Sequence, residues 1–194
     1  MSQIGFFYNM NRCTGCKTCQ IACKDKNNLD IGLIYRHAEN YEMGTYPSVR
    51  SFCYSFSCNH CAAPACITAC SNDAIYREED GTVIIDQELC EGCQECITAC
   101  PYSVPVYHPA TGKTNKCDAC FELRAHGEEP ACASGCPGRA LYFGELEELE
   151  KTHGKGMELV DEFPVLGSSK MTKPSILIAI KECAKEEEVR PSLF

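Results

Sequence analysis

Sixteen of the eighteen cysteines in this 194-residue chain fall into four quartets. Cys13, Cys16, Cys19 and Cys23 follow the spacing C-x2-C-x2-C-x3-C; Cys90, Cys93, Cys96 and Cys100 repeat it, with Pro101 behind. Cys58, Cys61, Cys66 and Cys70 read C-x2-C-x4-C-x3-C, and Cys117, Cys120, Cys132 and Cys136 read C-x2-C-x11-C-x3-C, followed by Pro137. Cys53 and Cys183 are left over. Thiolates grouped in this way can bind zinc, hold iron–sulfur clusters or pair as disulfides, and the spacing has to choose among these.

The run C-x2-C-x2-C-x3-C-P is the ligand pattern of bacterial-type ferredoxins, in which the fourth cysteine serves the other cluster of a pair. Three closely spaced cysteines on a tight loop can wrap three corners of an iron–sulfur cube. The fourth, four residues on, points toward a neighbour. Quartets therefore come in pairs, and four quartets imply four [4Fe-4S] clusters. Zinc is the competing reading, since sixteen cysteines could also make four all-cysteine tetrahedral sites. Zinc sites, however, usually join two C-x2-C pairs across a longer spacer, whereas here four cysteines crowd within eleven residues, twice. A Rieske centre needs two histidine ligands, and no quartet lacks two cysteines.

Composition raises the question of what else the cysteines supply. Leu, Ile, Val and Phe make 38 of 194 residues, and the formal net charge is −9. That lies at the edge of the disordered class, so the cysteines must staple the chain or carry something that replaces its core. With an acidic balance and no basic patch, no nucleic-acid partner is expected. Ile176 to Ile180 is the longest purely apolar run in the C-terminal half, far short of the roughly 20 residues a membrane span needs. Met1 to Met10 has neither a basic start, an apolar stretch nor a twin-arginine pair. On these grounds the chain reads as soluble and cytoplasmic, where disulfides are rare.

An internal repeat frames the quartets. CITAC occurs at Cys66 to Cys70 and again at Cys96 to Cys100. Ala74-Ile75-Tyr76 follows Cys70 at the offset at which Ala140-Leu141-Tyr142 follows Cys136, and Val83 to Asp86 precedes Cys90 as Phe6 to Asn9 precedes Cys13. Such copying marks a repeated supersecondary unit. Ala74 to Arg77 and Thr82 to Asp86 flank Glu79-Asp80-Gly81 and predict a β-hairpin. Ala140 to Phe143 is expected to pair with Phe6 to Tyr8, and short helices are expected to start at the last cysteine of each quartet. The fold class is α+β.

NRCTGCKTCQIACKD, CNHCAAPACITAC, CEGCQECITACPY and KCDACFELRAHGEEPACASGCPGRAL stand in that order over roughly Gln3 to Glu145. In this the chain resembles the four-cluster iron–sulfur electron-transfer subunits of the molybdopterin oxidoreductase family, most of all those of the dimethyl sulfoxide reductase type. The resemblance implies two ferredoxin-like modules, the second inserted into the first, plus a C-terminal extension. Residues 1–50 and 110–145 would form the outer module, 51–109 the inner one and 146–194 the extension. It also implies nested ligation: Cys13, Cys16, Cys19 and Cys136 on cluster 1, and Cys23, Cys117, Cys120 and Cys132 on cluster 2. Cys58, Cys61, Cys66 and Cys100 would hold cluster 3, and Cys70, Cys90, Cys93 and Cys96 cluster 4. Some relatives replace a cysteine of the third quartet and carry a three-iron cluster, whereas here all four are present. Ser71 stands where the family pattern has a proline after the fourth cysteine, which leaves the backbone there less fixed.

A fully cysteine-ligated cubane offers no open coordination site, so the chain is expected to be no enzyme by itself. The resemblance implies that it relays single electrons between a donor or acceptor and a large catalytic subunit carrying a molybdenum or tungsten pterin. A membrane anchor subunit or a soluble carrier would be the further partner. Such complexes are often exported folded, so co-export or membrane association through a third subunit stands beside the cytoplasmic reading. A free-standing soluble polyferredoxin is the alternative function. His37, His60, His108, His126 and His153 are scattered; His60 could donate to a cluster sulfur or simply pack. Arg12, Lys17, Lys24, Lys116 and Arg139 lie near ligand cysteines and could raise local potentials or be solvated. Pro174 to Val189 reads as an amphipathic helix, with Ile176, Leu177, Ile180, Cys183 and Ala184 on one stripe that would pack on the modules or dock on the partner. Cys53 and Cys183 are expected to be buried small hydrophobes.

Overall fold

A computed structural model describes residues 3–166, 168–186 and 188–192. Its elements are short because ligand loops interrupt them. In chain order they are β1 (Ile4–Asn9), α1 (Thr18–Lys26), β2 (His37–Met43), β3 (Arg50–Phe56), α2 (Ala65–Thr68), β4 (Ile75–Arg77), β5 (Val83–Ile85) and α3 (Glu95–Ala99). There follow β6 (Val106–His108), β7 (Lys113–Asn115), α4 (Phe121–Ala125), α5 (Ala131–Ser134), β8 (Leu141–Glu145), α6 (Leu146–His153), β9 (Leu159–Val160), β10 (Ile176–Ala179) and β11 (Arg190–Pro191).

The principal sheet has the order β8-β1-β10-β9. β1 is apolar without alternation, as a strand covered on both faces should be. Phe6 and Tyr8 enter the main core, and Phe7 turns to the other face against Leu149 of α6 and Ala179. The expected antiparallel partner is in place, Phe6 opposite Phe143 and Tyr8 opposite Leu141. On its other side β1 pairs in parallel with β10, Phe6 opposite Ile176 and Tyr8 opposite Ile178. Gly5 permits this contact, because a Cβ there would stand 2.1 Å from the Ser175 carbonyl oxygen.

β10 overturns the expected C-terminal amphipathic helix. Ile176 to Ala179 is a strand, and Cys183 and Ala184 sit in a separate 3-10 turn over Glu182–Lys185. A short apolar run does not separate helix from strand by periodicity, and the β-branched Ile176 and Ile178 favour the strand once β1 offers an open edge. Position 187 of the expected helix lies outside the described residues, as do 193 and 194 of the extension. The stripe packs within the chain: Ile176, Ile180, Cys183 and Ala184 are buried, as are Ile178 and Ala179 between them.

Helix starts also differ from expectation. α2, α3 and α5 carry the third cysteine of their quartets (Cys66, Cys96, Cys132) and end before or at the fourth, while α1 carries both Cys19 and Cys23. An x3 spacing puts the two cysteines at i and i+4, one helical turn apart on a shared face. The residue before a proline resists helical angles, so Cys100 and Cys136, ahead of Pro101 and Pro137, close their helices rather than open them. α1 packs on α5, and α2 on α3.

The predicted hairpin is β4 with β5, Ile75 opposite Ile85; with Cys96 it forms a small core of its own. β6 and β7 make a second hairpin, and β11-β2-β3 a three-stranded sheet. In β3, Phe52, Tyr54 and Phe56 turn to an aromatic side, where Tyr54 meets Phe163 edge-on with ring centroids 4.8 Å apart. Cys53 and Ser55 turn to the other side of the strand, toward the first quartet.

Candidate metal centres

The four cysteine loops share one backbone device. The residue just before each second cysteine, Gly15, His60, Gly92 or Ala119, has a left-handed φ between 43° and 72°. That conformation curls the chain so that its own amide faces the first thiol: the His60 N–H lies 3.5 Å from Cys58 Sγ and the Ala119 N–H 3.4 Å from Cys117 Sγ. Three residues after the fourth cysteine the chain turns left-handed again, at Asp73, Ser103 and Arg139. The following amide can then reach back, as the Ala140 N–H does to Cys136 Sγ at 3.3 Å. Successive amides aimed into one concavity make an anion-binding nest.

Three cavities open at these loops. One is lined by Cys13, Cys16, Cys19 and, from a quartet more than a hundred residues away, Cys136. The second is lined by Cys58, Cys61, Cys66 and Cys100, and the third by Cys70, Cys90, Cys93 and Cys96. Cys23, Cys117, Cys120 and Cys132 are all buried and lie close enough that Cys23 feels the charges of Cys132 and Cys120, and Cys117 those of Cys23 and Cys132. All eighteen cysteines are free thiols. Among the described residues no three His, Cys, Asp or Glu side chains converge closely enough to hold one metal ion. Four thiols around a void can each serve a different corner of a cube.

Electrostatics differ between the sites. Burial pushes the Cys23 and Cys61 thiols up to about 12, and Cys66 and Cys96 up to about 11. Cys13 moves the other way, to about 6, chiefly because the Cys53 thiol hydrogen-bonds it. Three sulfurs lining the first cavity have a hydrogen-bond partner: Cys16 the Thr18 hydroxyl at 3.3 Å, Cys19 the Ser55 hydroxyl at 3.4 Å and Cys136 the Ala140 amide. Cys53 and Cys183 are both buried, as expected of small hydrophobes, Cys183 with its thiol 3.8 Å from the Ser51 carbonyl oxygen.

His60 packs rather than being solvated; it is fully buried and its Nδ1 accepts the Val83 N–H at 3.0 Å, which leaves the ring proton on Nε2. The other histidines serve packing or lie at the surface; His37 stacks on Phe56 and His153 on Tyr142. Arg12, Lys17 and Arg139 are exposed, and Lys24 caps the loop carbonyls of Leu29 and Leu33. Lys116 is buried, lines the second cavity and donates to the carbonyls of Val83 and Cys117. Sequence reasoning missed Arg36, which lies thirteen residues past Cys23 yet is buried between the first and fourth quartets. No spacing rule points to it; the serines that hold it, Ser55 and Ser57, lie 19 and 21 residues further along the chain.

A family model described as a 4Fe-4S dicluster domain matches residues 49–146, and one described as a 4Fe-4S binding domain matches residues 10–27. The B chain of the anaerobic dimethyl sulfoxide reductase of Escherichia coli is 41% identical over 185 residues, covering 91% of this chain and 88% of that protein. Its counterpart in Haemophilus influenzae is 36% identical over 194 residues, 95% and 93% of the two chains. The thiosulfate reductase electron transfer subunit PhsB of Salmonella typhi is 36% identical over 152 residues, 77% and 79%.

Proposed function

Because the chain belongs to the family of iron–sulfur electron-transfer subunits that includes that of anaerobic dimethyl sulfoxide reductase, we propose that its quartets hold four [4Fe-4S] clusters in two modules, one inserted into the other. Residues 1–50 and 110–145 form the outer module and 51–109 the inner one, with residues 146–194 as a C-terminal extension. The chain relays electrons and is not itself the catalyst. The observation that carries the ligand assignment is the crossing of quartets: each cavity takes three cysteines from one quartet and its fourth from another. Cys13, Cys16, Cys19 and Cys136 hold cluster 1; Cys23, Cys117, Cys120 and Cys132 cluster 2; Cys58, Cys61, Cys66 and Cys100 cluster 3; Cys70, Cys90, Cys93 and Cys96 cluster 4.

When bound, each such cluster takes up and returns one electron. The chain's contribution is to line the sites up. Cys19 feels the charge of Cys132, Cys117 that of Cys58, and Cys66 that of Cys96. These contacts support the order 1-2-3-4. Cys16 and Cys93 are exposed while the cysteines of site 2 are buried, so the relay meets solvent at its two ends. One end faces a catalytic subunit that carries a molybdenum or tungsten pterin, and the other a membrane anchor subunit or a soluble carrier. Among the described residues no helix is long and apolar enough to cross a membrane.

Iron quantitation near sixteen atoms per chain, about four per cubane, with brown absorbance and reduced-state paramagnetic resonance, tests the cluster count. Copurification of a large molybdenum- or tungsten-containing chain tests the partner. Full substrate turnover by the isolated chain would contradict the non-catalytic role.

A further inference from the structure

Arg36 is 1% exposed, and among the described residues no carboxylate lies within ion-pair distance of it. A buried charge without a partner is among the most costly features a fold can carry. The protein nevertheless holds this one in a fixed place. Nη1 donates to Ser55 Oγ at 3.2 Å, Nη2 donates to Ser57 Oγ at 2.7 Å, and the guanidinium carbon lies 4.3 Å from the centroid of the Phe6 ring. Nε has no acceptor. The charges it feels most strongly belong to Cys132, Cys117, Cys19 and Cys23. Cys19 belongs to site 1, and the other three belong to site 2.

We propose that Arg36 is a potential-setting residue: a fixed, buried cation whose counter-ions are clusters 1 and 2, and which holds both at higher reduction potential than they would have without it. This rests on the ligand assignment above. The inference follows from charge balance, since a cubane with four thiolates is an anion and reduction adds a further negative charge. A cation that cannot leave favours the reduced form. An arginine suits the position because it stays protonated even when buried.

Ser55 extends the effect to one sulfur. Arg36 can only donate, and a cluster-bound Cys19 thiolate can only accept. Ser55 Oγ, 3.2 Å from Nη1 and 3.4 Å from Cys19 Sγ, therefore accepts from the arginine and donates its own proton to the sulfur. Hydrogen bonds to ligand sulfur raise cluster potentials. Ser57 clamps the second nitrogen and keeps the guanidinium in register.

The test is an anaerobic redox titration of the full-length, cluster-loaded chain, read by paramagnetic resonance alongside iron quantitation. Wild-type chain must first show four clusters and about sixteen irons; if it does not, the ligand assignment fails on its own account. Arg36→Gln is expected to lower two of the four midpoint potentials. The reduced-to-oxidised ratio of those two at fixed potential should fall at least tenfold, which is about 59 mV for a one-electron couple. Arg36→Lys keeps the charge and should restore most of the shift, while Ser55→Ala should lower one potential only. Four unshifted potentials in iron-replete Arg36→Gln would overturn the proposal. Should Arg36→Gln lose iron, retention by Arg36→Lys supports the counter-ion role, and equal loss from both reduces Arg36 to packing and overturns it.

Discussion

Gly92 stands between Cys90 and Cys93 with a φ of 72°, and a Cβ there would lie 2.0 Å from the Gly112 carbonyl oxygen. A left-handed residue with a side chain costs roughly 1–2 kcal/mol, and here the backbone of the β6–β7 turn must also move. Gly92→Ala is therefore expected to weaken site 4 and to lower iron content by about a quarter, one cluster in four. Gly127→Ala is the control: its φ is also positive, at 77°, but nothing lies within 4 Å, so it should cost only the conformational strain and keep its iron. Full iron in Gly92→Ala would refute the close-approach argument. The thiols make a second prediction at this scale. Cluster ligands must be deprotonated, while burial holds Cys23 and Cys61 at about 12 and Cys66 and Cys96 at about 11. These sites carry protons before loading and release them to iron, so reconstitution should become more favourable as pH rises toward those values and less so as it falls. Loading assays at pH values on either side of neutrality, with a dye to follow proton release, check the sign; pH-independent loading would contradict it.

At the scale of elements, β10 is the piece that sequence periodicity misassigned. Ile178 is fully buried and pairs across to Tyr8. Its replacement by alanine should cost about 2–5 kcal/mol, as large-to-small core changes do, with a lower thermal midpoint as the readout. Ile31→Ser, at a fully exposed residue, should be near neutral. Deletion from residue 176 onward separates two views of the C-terminal segment. A partner-docking helix could be removed with the clusters intact, whereas the inner strand of a four-stranded sheet cannot. We expect the truncated chain to be insoluble or iron-poor. The segment just ahead of β10 also ties the C-terminal part of the chain to the second cysteine loop. The Ala62 and Ala63 amides donate to the Lys173 and Thr172 carbonyls, and the Ser175 hydroxyl donates to the His60 carbonyl at 2.9 Å.

For the whole molecule, the shortage of Leu, Ile, Val and Phe finds its counterpart in the core. Cys23, Cys58, Cys61, Cys117 and Cys132 sit in the main hydrophobic cluster beside Phe6, Tyr8, Tyr54 and Ile178. Where an ordinary domain would place aliphatic side chains, this one places cysteines from distant quartets. Metal assembly and folding are then coupled. Removal of iron by chelation under reducing conditions should abolish the cooperative thermal transition and most of the near-ultraviolet circular dichroism. A compact apo-chain that melts cooperatively would contradict this view.

The quartet spacings marked the cysteines as iron–sulfur donors, because covalent distance along a tight loop fixes what they can wrap, and local apolar pattern marked the β1–β8 and β4–β5 pairings; which quartet completes which site came only from the resemblance to the family. The family, and with it the electron-relay function, was legible from the order of the four motifs. Two features were decided only in three dimensions: the strand fate of Ile176 to Ala179 and the burial of Arg36 between quartets. Each depends on a neighbour far along the chain. An open edge of β1 turns an ambiguous apolar run into a strand, and Ser55 on β3 with Ser57 just past its end accept a cation that no local pattern marks. Sequence spacing encodes contacts within a turn or two; charge compensation between distant loops exists only once the loops have met.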